Sequence, residues 1–365
     1  MNCLLQFVNK LAGSSTGTEF VHRKSAFWIG PLALVAVVNI GTSTALAGQT
    51  TKRTPAKTKS SSSQTKTAYS AARSQSRRTK LASARMSAMA REMTEALPRY
   101  KVDASGDLVP DLRAAAAIVY DPETNQVLWE ENSQAQRSIA SITKVMTATV
   151  FLENDPDLTQ QVTITRGDTY QASTTHLRTN DKVTADDLLH LLLIASDNAA
   201  ARALARVSPQ GTEAFVERMN EKAQELGLQS THYADPSGLL SDNMSSAYDM
   251  ARLITHASAD ERISSAMRLS EYTVYSNRRP ITFHSTNHLL GRPDVDVLAG
   301  KTGFIRNSGY CLATLLRVPD SGQQVAVVVL GARSNAARFM ESRNLFNWVS
   351  SKASTLFAPK PTSQQ

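Results

Sequence analysis

The chain reads as an α/β protein of the α+β kind, with one antiparallel sheet built from both ends of a single region and a helical layer against it. Three observations carry that reading. Strand-like runs stand at residues 113–131 and again at 295–331, the stretch between them is helical in pattern, and no internal repeat divides the region. Terminal strands separated by helices pair with each other and leave the helices to cover the sheet.

Two segments of other composition precede this region. Between Lys24 and Lys52 there is no charge; Ala26 to Val38 is nearly all apolar, and Ala45-Leu46-Ala47 follows. A basic flank, a short apolar core and an A-x-A site are the marks of a secretory signal peptide, here residues 1–47. The alternative is a signal anchor, but the run is shorter than the roughly 20 apolar residues of a spanning helix. The expected location is the periplasm or the outer face of the cytoplasmic membrane. Cys3 falls in this leader, so the mature chain would keep Cys311 alone, with neither an internal disulfide nor a cysteine metal site.

Residues 48–105 are a basic Ser/Thr/Lys-rich linker. Over residues 48–100, 12 Lys/Arg face only Glu92 and Glu95, whereas residues 101–365 carry 25 Lys/Arg against 29 Asp/Glu. The formal net charge of +8 therefore belongs to the linker, and the folded part gives no support to nucleic-acid binding. With few large apolar residues as far as Lys80, the linker has too little to bury to order itself. It is either a solvated spacer or a cationic tether to anionic envelope polymers or lipid headgroups. Met86, Met89, Met93 and Leu97 fall at helical spacing and predict a short helix docked on the domain.

The folded domain is expected over 106–350, with 351–365 as a tail. Residues 113–120 and 126–131 are strands joined by the turn residues Asp121-Pro122-Glu123-Thr124-Asn125. Ser138 to Phe151 begins with small polar residues and continues as an apolar helix. Residues 186–195 form a second helix, rich in leucine, that stops at Ser196-Asp197-Asn198 and restarts over 199–207. Residues 213–226 make a third, closed by Gly227. Strands follow at 295–300, 310–318 and 324–331, the last two joined at Pro319-Asp320-Ser321-Gly322. A helix over 336–350 closes the domain.

Ser141 and Lys144 are three apart at the start of the first helix, so their side chains share a face. A serine at a helix N-terminus beside an amine that can take its proton is a nucleophile with its base built in. Two further short motifs follow in order. Ser196-Asp197-Asn198 lies 55 residues beyond Ser141, and Lys301-Thr302-Gly303 lies 105 residues beyond Ser196. Each alone is weak: Ser63-Gln64-Thr65-Lys66 in the linker and Ser241-Asp242-Asn243 after a Gly-Leu-Leu turn are decoys. Order, spacing and setting make the set specific.

This set resembles the signature of the penicillin-recognising serine enzymes, S-x-x-K, S-x-N and K-T-G. Within them the chain is similar to the low-molecular-mass D-alanyl-D-alanine carboxypeptidase and endopeptidase family. The similar stretches are Ser138 to Lys144, Asp235-Pro236-Ser237-Gly238-Leu239, Lys301-Thr302-Gly303-Phe304 with Gly309-Tyr310-Cys311-Leu312, and Val329-Leu330-Gly331-Ala332. They span about residues 110–350 and imply a β-lactamase/transpeptidase-like fold. Asn287-His288-Leu289 looks most like the endopeptidase branch.

The resemblance implies a cofactor-free peptidase acting on peptidoglycan peptides and blocked covalently by β-lactams. Ser141 would attack a D-Ala carbonyl, with Lys144 as base once burial and a like charge, supplied by Lys301, lower its pKa by several units. Ser196 would pass a proton to the leaving amine and Asn198 would hold the substrate amide. Lys301 and Thr302, on the edge strand, would meet the substrate carboxylate, while Gly303 lets two backbones approach closely. The N–H groups of Ser141 and Phe304 would form the oxyanion hole, and Arg338 matches the position of a carboxylate-binding arginine in carboxypeptidases of the family. The lean is to D,D-endopeptidase cleavage of cross-links, with trimming of terminal D-Ala–D-Ala as the alternative. A β-lactamase would need a deacylating glutamate between the second and third motifs, and none falls around 231–245. A non-catalytic wall-binding module would need no neutral Lys144. A zinc peptidase fits poorly, since His284 and His288 have no acidic residue between them.

Overall fold

In the computed structural model the described residues are 79–80, 82–87, 97–209, 211–319 and 321–357. The leader expected at 1–47, most of the linker, Met89 and Met93 lie outside them. Residues 82–87 are helical, but Met86 is 68% exposed and Leu97 63% exposed. Met86 thus lies on a helix, as expected, but neither its side chain nor that of Leu97 is docked on the domain.

The sheet has five strands. Ala116–Asp121 (β1) and Gln126–Glu131 (β2) come from the front of the domain, and Asp296–Ile305 (β3), Gly309–Arg317 (β4) and Gln324–Ala332 (β5) from its end. Their order is β3-β4-β5-β1-β2, every pair antiparallel, so both ends meet where Val327 of β5 lies opposite Val119 of β1. β3 is therefore an edge.

One helical layer was expected, yet both faces of the sheet are covered. On one face Ile118 and Tyr120 join the core of the helical layer, in which Thr143–Leu152 (α1), Ala185–Leu193 (α2), Asn198–Val207 (α3), Gly211–Glu225 (α4), Ala247–Ser258 (α5) and Glu261–Arg268 (α6) lie. On the other, Ala117, Val119 and Val327 pack with Leu345, Phe346 and Val349 of the closing helix Asn335–Ser351 (α7). That is why β1 is buried at every residue instead of alternating. α7 also ties down the N-terminal end of the domain. Glu341 accepts from the amides of Arg113 and Ala114, Asn344 donates to the carbonyl of Arg99, and the Trp348 indole donates to the carbonyl of Leu108.

Two local devices position the site. Residues Ala140–Ile142 form a 3-10 turn, so the helix proper begins only at Thr143, after Ser141. Between α2 and α3 the chain turns at Ser196, whose φ of +59° is left-handed. Asp197 then caps α3, its carboxylate accepting from the Ala200 amide at 3.0 Å.

Candidate active site

Lys144 is fully buried in the first turn of α1, and its amine is the hub of the cluster. Nζ lies 3.0 Å from Ser141 Oγ, donates to Asn198 Oδ1 at 2.6 Å and also donates to the carbonyl of Ser237. Asn198 is fixed from its other side, its Nδ2 donating to the Ala172 carbonyl at 2.6 Å and to Ser173 Oγ at 3.3 Å. Lys301 is also buried, and its Nζ donates to Ser196 Oγ at 2.8 Å and to the Thr302 carbonyl at 3.1 Å. Each serine thus has its own lysine. Ser141 pairs with Lys144, and Ser196 with Lys301.

Burial pulls the pKa of Lys144 down to about 7, Asp235 and Asp197 pull it back up, and Arg202 adds a smaller depression. At neutral pH much of Lys144 is thus a free amine that can take the Ser141 proton along the existing 3.0 Å contact. The like charge on Lys144 was expected from Lys301; here burial leads and Arg202 is the cation that adds to it. Lys301 is itself held well below the ordinary lysine range, first by burial, then by Lys144 and Arg338.

β3 brings the third motif against the first. A Cβ on Gly303 would lie 2.6 Å from the Ile139 carbonyl oxygen and 3.2 Å from the Ser141 amide nitrogen, so only glycine admits this approach. Thr302 is buried, its hydroxyl 2.6 Å from that of Thr286. Phe304, next in the strand, is half exposed and stacks on Tyr310 at 4.2 Å between ring centroids. Arg338 is the exception among the expected residues. Only 6% exposed, it donates from Nη1 to the carbonyls of Gly303 and Cys311 and from Nη2 to Asn335. Its guanidinium ties β3 to β4 through Nη1, while its Nε is buried without a hydrogen-bond partner among the described residues.

The residues singled out as bystanders are elsewhere. His284 faces Glu271, while His288 stacks on Phe339. Asn243 of the second decoy motif closes the 234–243 loop by accepting from the Ala234 amide and donating to the Leu240 carbonyl. Two participants escaped the sequence reading. The Ser237 carbonyl has no side-chain signature, and Thr286 touches Thr302 only through folding; the turn residues around Ser237 were the one available signal.

A buried Ser–Lys pair at a helix start, a second Ser–Lys pair and an edge strand closing on the nucleophile define the penicillin-recognising class of serine acyl-transfer enzymes. The comparisons with known proteins narrow it. The family model described as D-alanyl-D-alanine carboxypeptidase matches residues 103–334. The D-alanyl-D-alanine endopeptidase of Haemophilus influenzae is 35% identical over 227 residues, covering 62% of this chain and 78% of that protein. The endopeptidase of Escherichia coli is 31% identical over 244 residues, 66% of this chain and 78% of that one. The crystal structure of the Streptomyces K15 DD-transpeptidase superposes with a TM-score of 0.61 at 27% identity, covering 66% of this chain and 97% of that one. The chain belongs to the D-alanyl-D-alanine carboxypeptidase family of serine peptidases.

Proposed function

We propose that the protein is a serine D,D-endopeptidase that hydrolyses the cross-links of peptidoglycan peptides through an acyl-ester on Ser141. The observation that carries the chemistry is the buried Lys144 amine 3.0 Å from the Ser141 hydroxyl. The choice of bond is supported by the relatives from Haemophilus influenzae and Escherichia coli, 35% and 31% identical, which are named endopeptidases. Ser141 Oγ attacks the D-Ala carbonyl as Lys144 accepts its proton. The Ser141 and Phe304 amides receive the oxyanion, and Asn198 holds the substrate amide. The peptide C–N bond breaks with a proton passed to the leaving amine through Ser196, which Lys301 orients. Water, deprotonated by Lys144, then opens the ester.

In this reading Lys301 and Thr302 meet the substrate carboxylate, and Arg338 holds the strand that presents them. Penicillin acylates Ser141 and stays, since no glutamate falls within 231–245 to drive deacylation. Residues 1–47 export the chain, and the basic linker contacts anionic envelope polymers or lipid electrostatically. Digestion of purified cross-linked and pentapeptide muropeptides, read by mass spectrometry with Ser141→Ala as control, tests the assignment. Dimers falling to monomers are expected. Loss of one alanine from pentapeptides with dimers intact would make it a carboxypeptidase instead.

A further inference from the structure

The turn at 235–240 is built around one carboxylate. Asp235 Oδ1 accepts from the amides of Ser237 and Gly238, both at 2.6 Å, and from the Ser237 hydroxyl at 3.0 Å, while Oδ2 accepts from the Leu240 amide at 2.8 Å. Four donors on one side chain fix the turn's backbone. That backbone in turn grips the catalytic pair. The Ser237 carbonyl accepts from Lys144, and the Pro236 carbonyl accepts from the Thr147 hydroxyl of α1 at 2.6 Å. Gly238, at φ +78°, leaves no room for a Cβ, which would sit 2.1 Å from the Ala140 carbonyl oxygen and 2.9 Å from the Ser141 amide nitrogen. Asn243 fastens the far end, accepting from the Asp235 amide.

We infer that Asp235 is a positioning residue for the general base: its carboxylate shapes the turn whose backbone clamps Lys144 and packs against Ser141. The inference rests on the proposed role of Lys144 as base. The charged groups facing Lys144 from the surrounding elements are Asp235 on this turn, Asp197 at the start of α3, Arg202 within α3 and Lys301 on β3. The two acids oppose the effect of burial, and Arg202 reinforces it. Asp235→Asn removes the charge and keeps an oxygen that accepts from Ser237 and Gly238, giving up only the Leu240 bond, whereas Asp235→Ala gives up all of them.

The test is the rate of penicillin acylation as a function of pH for the full chain, Asp235→Asn, Asp235→Ala and Lys144→Ala. In Asp235→Asn the acid limb of the profile is expected to move to lower pH by about half a unit or more, the variant gaining relative activity in acid. Asp235→Ala, which also loses the turn, is expected to lose acylation by about tenfold or more at every pH. A limb that stays in place in Asp235→Asn, or moves to higher pH, overturns the electrostatic role; an Asp235→Ala variant that acylates like the parent overturns the clamp. If Lys144→Ala acylates as fast as the parent, the reading of Lys144 as base fails, independently of Asp235.

Discussion

Lys144 has no exposed surface, so its proton affinity is set by protein atoms alone. With burial holding its pKa at about 7, the amine in its proposed role as base would be competent above that pH and silenced by protonation below it. Penicillin acylation should therefore rise with pH through about 7, and stopped-flow labelling measures it. Lys144→Ala should lower the acylation rate by about 100- to 10,000-fold without changing the fold, measured alongside circular dichroism. Gly303→Ala pushes a methyl into the Ile139 carbonyl and should slow acylation by about 100-fold as β3 is pushed off the nucleophile. At this scale the sequence was most informative where chemistry sits in side chains: Ser141, Lys144, Ser196, Asn198 and Lys301 meet in one cluster. It was silent where backbone does the work, as in the Ser237 carbonyl, and ambiguous for Arg338, whose motif position did not reveal that two carbonyls occupy its guanidinium.

Elements present these residues through their irregularities. The 3-10 turn at Ala140–Ile142 and the left-handed Ser196 are each followed at once by a helix, so a strained residue is braced by a regular one. Ala140 is itself left-handed at φ +49° and lies directly under Gly238. Gly238→Ala combines a disfavoured φ with a backbone clash and should cost about 2 kcal/mol or more, read from urea denaturation. The strand and helix runs were legible because apolar periodicity marks them, and β2 ends where its composition changes. The left-handed turns were not, since neither alanine nor serine signals a positive φ. The K-T-G motif lies inside the edge strand β3, as the family resemblance implied, but the strand continues to Ile305, past the end at residue 300 that the apolar run suggested.

Across the whole molecule the sheet is a partition between two cores. The catalytic cluster belongs to the side of the α1–α6 layer, whereas α7 and the N-terminal ribbon Tyr100–Val102 with Leu108–Pro110 stabilise the other. Trp348→Phe removes the indole bond to Leu108 and should cost about 1 kcal/mol, lowering Tm by about 2–4 °C with acylation unchanged. Apolar alternation could not foresee the second core, because a strand covered on both faces looks like any buried run. The pairing of β1 with β5 has a bearing on how the chain is made. Ala116 sits opposite Leu330, a separation of 214 residues. A nascent chain reaching Val318 already contains every motif residue, yet the partner that anchors β1 has not been synthesised. Closing so long a loop comes late and slowly, so competence to react arrives with the last strand and not with the nucleophile. Chains stopped after Val318 should take up no labelled penicillin, while full-length chains gain it in step with burial of the sheet. On that outcome the order of translation would keep an unfinished hydrolase inert.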